Sequence, residues 1–182
     1  MEALPQANEG QHLAAQVDEG PPGVAGIDGR IGLYHVVGIG VSSDCDCRVN
    51  DDPQGLIDAI CQAGGLAFVA HPKWSGNVVD DEFLQLKNYI GIEVFNYGCH
   101  VENNTSQGDI HWDMLSLHGK RLLGFATDDA HSLVTDAGGG WLMVKADSLT
   151  ADGILSAIRQ GHFYASSGPE IYEVTVDDGV IS

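Results

Sequence analysis

The chain has 182 residues, of which 43% are hydrophobic, and this is enough for one domain with a buried core. Its 26 Asp and Glu residues outnumber 8 Lys and Arg residues, and the formal net charge of −18 repels nucleic acid and anionic membranes, so we expect neither as a partner. No apolar run reaches membrane-spanning length and no signal peptide is visible, so we expect a cytoplasmic protein.

Three segments that differ in composition predict the domain organisation. Residues 1–30 are predicted to form an irregular N-terminal segment, because Gly and Pro are frequent from Asp18 onward. Residues 31–170 alternate strand-like and helix-like stretches and are predicted to form an α/β domain. Residues 171–182 alternate apolar and polar side chains up to an Asp178-Gly179 turn signal, so we expect the start of a C-terminal β-hairpin whose second strand is cut off.

The predicted elements of the α/β domain follow one another in regular alternation. The apolar runs predict buried strands at residues 33–41, 66–70, 90–95, 121–126 and 141–144. Amphipathic spacing and capping residues predict helices at residues 52–63, 80–88, 110–118 and 150–160, with a loop at 97–108. Buried strands flanked by helices predict a mainly parallel sheet, either open or closed into a barrel.

Polar side chains lie at or just beyond several of these predicted strands. His35 lies inside the first strand, whereas His71, Asn96, and Asp129 with His131 follow later strands directly. The carboxyl ends of parallel strands meet at one edge of a sheet, so we expect these side chains to converge. Imidazole nitrogen and carboxylate oxygen suit Mn, Zn or Fe, and the sequence therefore predicts a divalent metal site.

Other residues could support chemistry at that edge. Pro72 favours an extended conformation of His71, and Asp128 is predicted to accept a hydrogen bond from a metal-bound imidazole. Glu93 could be a ligand, a hydrogen-bond partner of a ligand, or half of an ion pair with a helix. Lys73 could stabilise charge on a phosphoryl group, or it could be a solvated surface base. His100 lies in the predicted loop after Asn96, where both could contact substrate.

Four stretches of the sequence form a pattern when taken in order: Gly-Gly-Leu-Ala-Phe-Val-Ala-His-Pro at 64–72, Gly-Ile-Glu-Val-Phe-Asn at 91–96, Thr-Asp-Asp-Ala-His at 127–131 and Gly-His-Phe-Tyr-Ala-Ser-Ser-Gly-Pro at 161–169. Together they resemble the PHP (polymerase and histidinol phosphatase) superfamily, and within it the branch of predicted metal-dependent phosphoesterases. The resemblance implies a distorted (β/α)7 barrel with a site of two or three metal ions. It assigns metal-ligand roles to His35, His71, Asp129 and His131, and catalysis to the last three.

The same resemblance shows what is missing from this sequence. The family begins with a His-x-His strand, a nearby Asp and a Thr-Asp-His strand, and none of these is present. We therefore expect a partial (β/α)7 barrel that lacks its first strands, with an open edge along residues 33–41 through which copies could self-associate.

The implied function is hydrolysis of a small phosphorylated substrate by a metal-bound hydroxide. Bound cations would also let an anionic substrate approach this acidic chain. The alternative is a non-catalytic PHP-like remnant that binds a metal or a phosphorylated ligand. A metal-dependent amidohydrolase is less favoured, because it normally uses a His-x-His and a carboxylated Lys or bridging Glu.

Overall fold

The computed structural model of the chain describes residues 35–41, 52–74 and 80–181, so the predicted N-terminal segment 1–30 lies outside the described residues. The strands are β1 (Val36–Ile39), β2 (Leu66–Val69), β3 (Gly91–Asn96), β4 (Leu123–Thr127), β5 (Trp141–Val144), β6 (Phe163–Ser166), β7 (Val176–Asp177) and β8 (Val180–Ile181). The helices are α1 (Pro53–Gln62), α2 (Asp80–Gln85), α3 (Tyr97–Asn103), α4 (Asp109–Leu117) and α5 (Ala151–Arg159). Among these described helices, none combines the length and the hydropathy that a membrane span requires.

The main sheet has four strands in the order β1-β2-β3-β4. β2, β3 and β4 are parallel, whereas β1 runs antiparallel to β2, with Val36 opposite Val69. The expectation of a partial (β/α)7 barrel is therefore wrong: the described residues form a mixed α/β fold with an open sheet. The physical reason is strand pairing, because β5 pairs with β6 in a separate antiparallel sheet and the main sheet ends at β4.

Both faces of the main sheet are covered, which explains the continuous apolar sequence of β2. On one face α1 packs through Leu56, Ile57 and Ile60, and all three side chains are fully buried. On the other face Phe68 and Phe125 stack with their ring centroids 4.2 Å apart. The polar residues at the strand ends therefore lie at the edge of a sheet that is packed between two apolar clusters.

Two local features differ from the sequence expectation. The predicted loop after β3 begins with a short helix, α3, whose N-cap is Asn96. Near the C-terminus, β7 and β8 pair around Asp178 and Gly179, which both have positive φ as a tight hairpin turn requires. The second strand of this hairpin, which we expected to be cut off, is present as two residues.

Candidate functional site

His35 and His71 meet at the edge of the sheet where β2, β3 and β4 end. Because β1 is antiparallel, the residue that precedes it lies beside the residues that follow β2, and the Ala70 N–H donates to the His35 carbonyl at 2.9 Å. His35 Nδ1 lies 2.8 Å from His71 Nε2, and the two rings are nearly perpendicular. β1 begins at Val36, so His35 lies just before the strand rather than inside it.

Asp129 approaches the same imidazole from the end of β4. Its Oδ2 lies 3.8 Å from His71 Nε2, and its side chain is 28% exposed. Burial, reinforced by the neighbouring His35, lowers the pKa of His71. The neutral imidazole is therefore favoured, and this is the form that binds metal ions.

Glu93 lies beneath this group and is 1% exposed. Its Oε2 accepts hydrogen bonds from the His71 backbone N–H at 2.6 Å and from Asn96 Nδ2 at 2.9 Å, and its Oε1 accepts one from the Thr127 hydroxyl. Burial raises the pKa of Glu93 to about 7 in spite of these donors. Of its three possible roles, the geometry matches that of a hydrogen-bond partner of a predicted ligand.

The hydrogen bond that the His71 backbone N–H donates to Glu93 accompanies an unexpected backbone conformation at His71. Its φ is +23°, so the extended conformation predicted from Pro72 is wrong. A positive φ is uncommon for a residue with a side chain, and it persists where surrounding contacts hold it. Here the Glu93 carboxylate holds the backbone N–H while His35 contacts the ring.

Asn96 is fully buried and joins both carboxylates of the site. Its Nδ2 lies 2.9 Å from Glu93 Oε2 and 3.3 Å from Asp129 Oδ2. Residues three apart in a regular strand point to opposite faces, but the register of β3 shifts between Glu93 and Phe95, and this irregularity lets both side chains reach one edge. We expected Asn96 to contact substrate, whereas its amide binds protein groups.

The Asp128 carboxylate binds the backbone of a loop and does not bind the imidazole of a predicted ligand. Its carboxylate accepts hydrogen bonds from the backbone N–H groups of Gly138, Gly139 and Gly140 at 2.6, 2.8 and 2.8 Å. The predicted hydrogen bond to a metal-bound imidazole is therefore not formed. Glycine is required at position 139 because a Cβ there would overlap the ring of Tyr97.

His131 is exposed, and its hydrogen bonds within the described residues are to its own loop. Its Nδ1 is 2.8 Å from the Asp129 carbonyl oxygen, and its N–H donates to Asp136 Oδ2 at 2.9 Å. No hydrogen bond or ring contact in the described part of the chain joins it to His71. The structure thus brings together His35, His71 and Asp129, but not the fourth predicted ligand.

Two predicted substrate contacts lie at the periphery. Lys73 is exposed, and its side chain makes no hydrogen bond or ion pair within the described residues. His100 is exposed on α3, with its ring centroid 6.2 Å from those of Phe95 and Tyr97. Neither residue touches the paired imidazoles, so their proposed contacts with substrate stay predictions.

Sequence reasoning missed Trp74 and Thr127. The Trp74 ring lies against both imidazoles, with centroids 5.7 Å from His35 and 5.4 Å from His71, and its Nε1 donates to Glu102 at 3.0 Å. Nothing in the local pattern marks Trp74 as part of a site. Thr127 is the last residue of β4, and its position directly before Asp128 was a usable signal.

The donor chemistry of the site fits a divalent ion, although the ligand set is small. Neighbouring ligand atoms around tetrahedral Zn²⁺ lie about 3.3 to 3.4 Å apart, given metal–ligand distances of about 2.0 to 2.1 Å. The 2.8 Å between His35 and His71 and the 3.8 Å from His71 to Asp129 fall on either side of that range. Within residues 35–41, 52–74 and 80–181, however, no three His, Cys, Asp or Glu side chains form a group ready to hold a metal ion.

No protein-family model matches this sequence, and no curated protein matches it. The resemblance to the PHP superfamily therefore stays a prediction that depends on the four ordered stretches of sequence.

Proposed function

We propose that this chain is a metal-dependent phosphoesterase that binds Mn, Zn or Fe through His35, His71 and Asp129 and hydrolyses a small phosphate ester. The observation that carries the proposal is the facing pair of imidazole nitrogens, 2.8 Å apart, with a carboxylate oxygen 3.8 Å from one of them. Nitrogen and oxygen donors in this combination are typical ligands of these metals. The order of the PHP-like stretches supports the same function.

The charge of the site supports a bound cation. Glu93 and Asp129 share the hydrogen bonds of Asn96, and no Lys or Arg side chain within the described residues contacts either carboxylate. Glu93 is removed from water, and the charged form of a buried carboxyl is costly unless an opposite charge offsets it. A divalent ion would supply that charge and would also make the edge of an acidic protein attractive to a phosphate group.

When bound, a divalent ion lowers the pKa of a water ligand and so provides a hydroxide nucleophile at neutral pH. The residues of the chain prepare its site. Burial keeps His71 neutral, and Glu93 holds the His71 backbone through a 2.6 Å hydrogen bond.

A non-catalytic module that binds a metal or a phosphorylated ligand is the second candidate. It is favoured by the small ligand set, because the described ranges contain no group of three side chains in coordinating positions. Metal content and turnover distinguish the two candidates when they are measured on the same sample.

The test uses the full chain loaded with Mn²⁺, with bound metal measured by elemental analysis and p-nitrophenyl phosphate as the substrate. We expect bound metal and turnover in the wild type, and loss of both in His71→Ala and Asp129→Asn. Asp113→Asn is the matched control, since Asp113 is exposed on α4 and its side chain makes no hydrogen bond or ion pair within the described residues. Metal without turnover would favour the binding module, and absence of both would contradict both candidates.

Self-association is a separate proposal. β1 is an edge strand with β2 as its one neighbour in the described sheet, and an unpaired strand edge can add a strand from a second copy. We expect a concentration-dependent rise in mass by light scattering coupled to size-exclusion chromatography. A constant monomer mass across the concentration range would refute it.

A further inference from the structure

We propose that Asn96 is a positioning residue, which fixes the Asp129 carboxylate relative to Glu93 and His71. The inference rests on the proposed metal site. Asn96 is 0% exposed, and its side-chain amide donates towards two different carboxylates, at 2.9 Å to Glu93 Oε2 and at 3.3 Å to Asp129 Oδ2. An amide NH2 group has two N–H donors, so both are used.

The start of α3 fixes the direction in which those donors point. Asn96 is the N-cap of this helix, and its Oδ1 accepts the Cys99 backbone N–H at 2.8 Å. With the oxygen held by the helix, the planar amide has little freedom to rotate. Its nitrogen is therefore aimed at the carboxylates by the backbone and has no donor left for a substrate.

Asp129 depends on this amide for its orientation. Its backbone is left-handed, with φ +50°, so the chain is already turning away from the strand direction at this residue. The Asp129 carboxylate has two polar contacts within the described residues, namely the Asn96 amide and the His71 ring. Asn96 therefore sets where Oδ2 lies with respect to His71 Nε2.

Glu93 completes the connection on the other side. The oxygen that accepts from Asn96 also accepts from the His71 backbone N–H at 2.6 Å. One amide thus connects the group that holds the His71 backbone to the carboxylate that faces the His71 ring. Loss of its two donors should loosen both sides of the proposed metal site while the core beneath stays intact.

The first experiment is a double-mutant cycle on the metal-free protein, in which Asn96→Ser and Asp129→Ala are made singly and together, since alanine removes the acceptor of the Asn96 amide. Serine can still cap α3 but is too short to reach both carboxylates. We expect the two changes to be non-additive by about tenfold in the equilibrium constant for urea unfolding. Additive effects would overturn the inference, even if the wild type binds Mn²⁺.

The second experiment measures Mn²⁺ binding by calorimetry. We expect the dissociation constant to rise by about tenfold or more in Asn96→Ser, since outer-shell partners of metal ligands typically contribute this much. Asp52→Ser is the matched control, because Asp52 caps α1 in the same way but does not contact the site. An unchanged Mn²⁺ affinity in Asn96→Ser would overturn the inference.

The two experiments distinguish failure of the proposed metal site from failure of the inference about Asn96. If the wild type binds no Mn²⁺ but the metal-free cycle is non-additive, the metal site is refuted and the positioning role of Asn96 stands. If Asn96→Ser does not fold, the same cycle is made with Asn96→Thr, which also caps a helix and is too short to reach both carboxylates. Additivity in that cycle would overturn the inference equally.

Discussion

Glu93 should make the stability of the metal-free protein depend on pH in an unusual direction. The pKa of this buried carboxyl is raised from its ordinary value of 4.5 to about 7. Between these two values the folded protein keeps the Glu93 proton while the unfolded chain releases it. The free energy of unfolding should therefore fall as the pH rises through this window, and the contribution of Glu93 is lost above about pH 7.

The magnitude follows from the difference between the two pKa values. At about 1.4 kcal/mol for each tenfold change in proton affinity, the full difference corresponds to about 3 kcal/mol. About 2 to 3 kcal/mol of this should be lost between about pH 5 and pH 8. His71 acts in the opposite direction, since its lowered pKa destabilises the folded protein as the pH falls through the ordinary histidine range.

The assay is urea unfolding across this pH range in the presence of a chelator, on the wild type and on Glu93→Gln. Glutamine can accept from the His71 N–H and from Asn96, and the Thr127 hydroxyl can turn to accept from its amide. Since His71 is present in both proteins, the difference between their pH profiles isolates Glu93. Parallel profiles for the two proteins would refute the raised pKa, and Asp113→Asn should follow the wild type.

Three further predictions concern stability, each measured by urea or thermal unfolding. Phe125→Ala removes a fully buried ring that stacks on a second phenylalanine and should cost about 3 to 5 kcal/mol; a cost below about 1 kcal/mol would contradict the packing. Asp128→Ala leaves three glycine N–H groups without their acceptor and should cost about 2 to 3 kcal/mol, so an unchanged stability would show that the loop does not need this anchor. Gly139→Ala should cost about 1 to 3 kcal/mol and shift the ring resonances of Tyr97, because the new methyl group overlaps that ring. Gly138→Ala is its control: it meets no atom within 4 Å and should leave the Tyr97 resonances unchanged, although its φ of +80° carries its own cost.

The convergence of His71, Asn96 and Asp129 could be predicted because it follows from parallel strands alone. Apolar runs locate the strands, and the residues that come directly after parallel strands share an edge. His35 reached the same edge for a different reason. The apolar sequence of a strand does not indicate whether it pairs parallel or antiparallel to its neighbour. Because β1 is antiparallel to β2, His35, which comes just before β1, lies beside His71.

The barrel could not be predicted correctly because pairing partners are not contained in the local pattern. Residues 141–144 are as apolar as the other strands and follow them in order, which favours a fifth parallel strand. In the structure β5 pairs with β6 in an antiparallel ladder, with Trp141 opposite Ser166, and does not join the main sheet as a fifth strand. Closure of a barrel needs each strand to pair with its neighbours on both sides, and β4 has no such second neighbour in the described sheet.

The separation of Asp129 from His131 has a local cause. In an extended strand, side chains two residues apart point to the same face, and this would have placed both side chains in one site. Asp129 instead has a left-handed backbone, which ends the alternation at the first of the two residues. Its carboxylate turns to Asn96 and His71, while the hydrogen bond from the His131 N–H to Asp136 directs the next part of the chain to the surface. Binding of an ion by both residues would therefore require this turn to rearrange. In His131→Ala, the dissociation constant for Mn²⁺ measured by calorimetry should rise if His131 joins the site, and it should be unchanged if His35, His71 and Asp129 act alone.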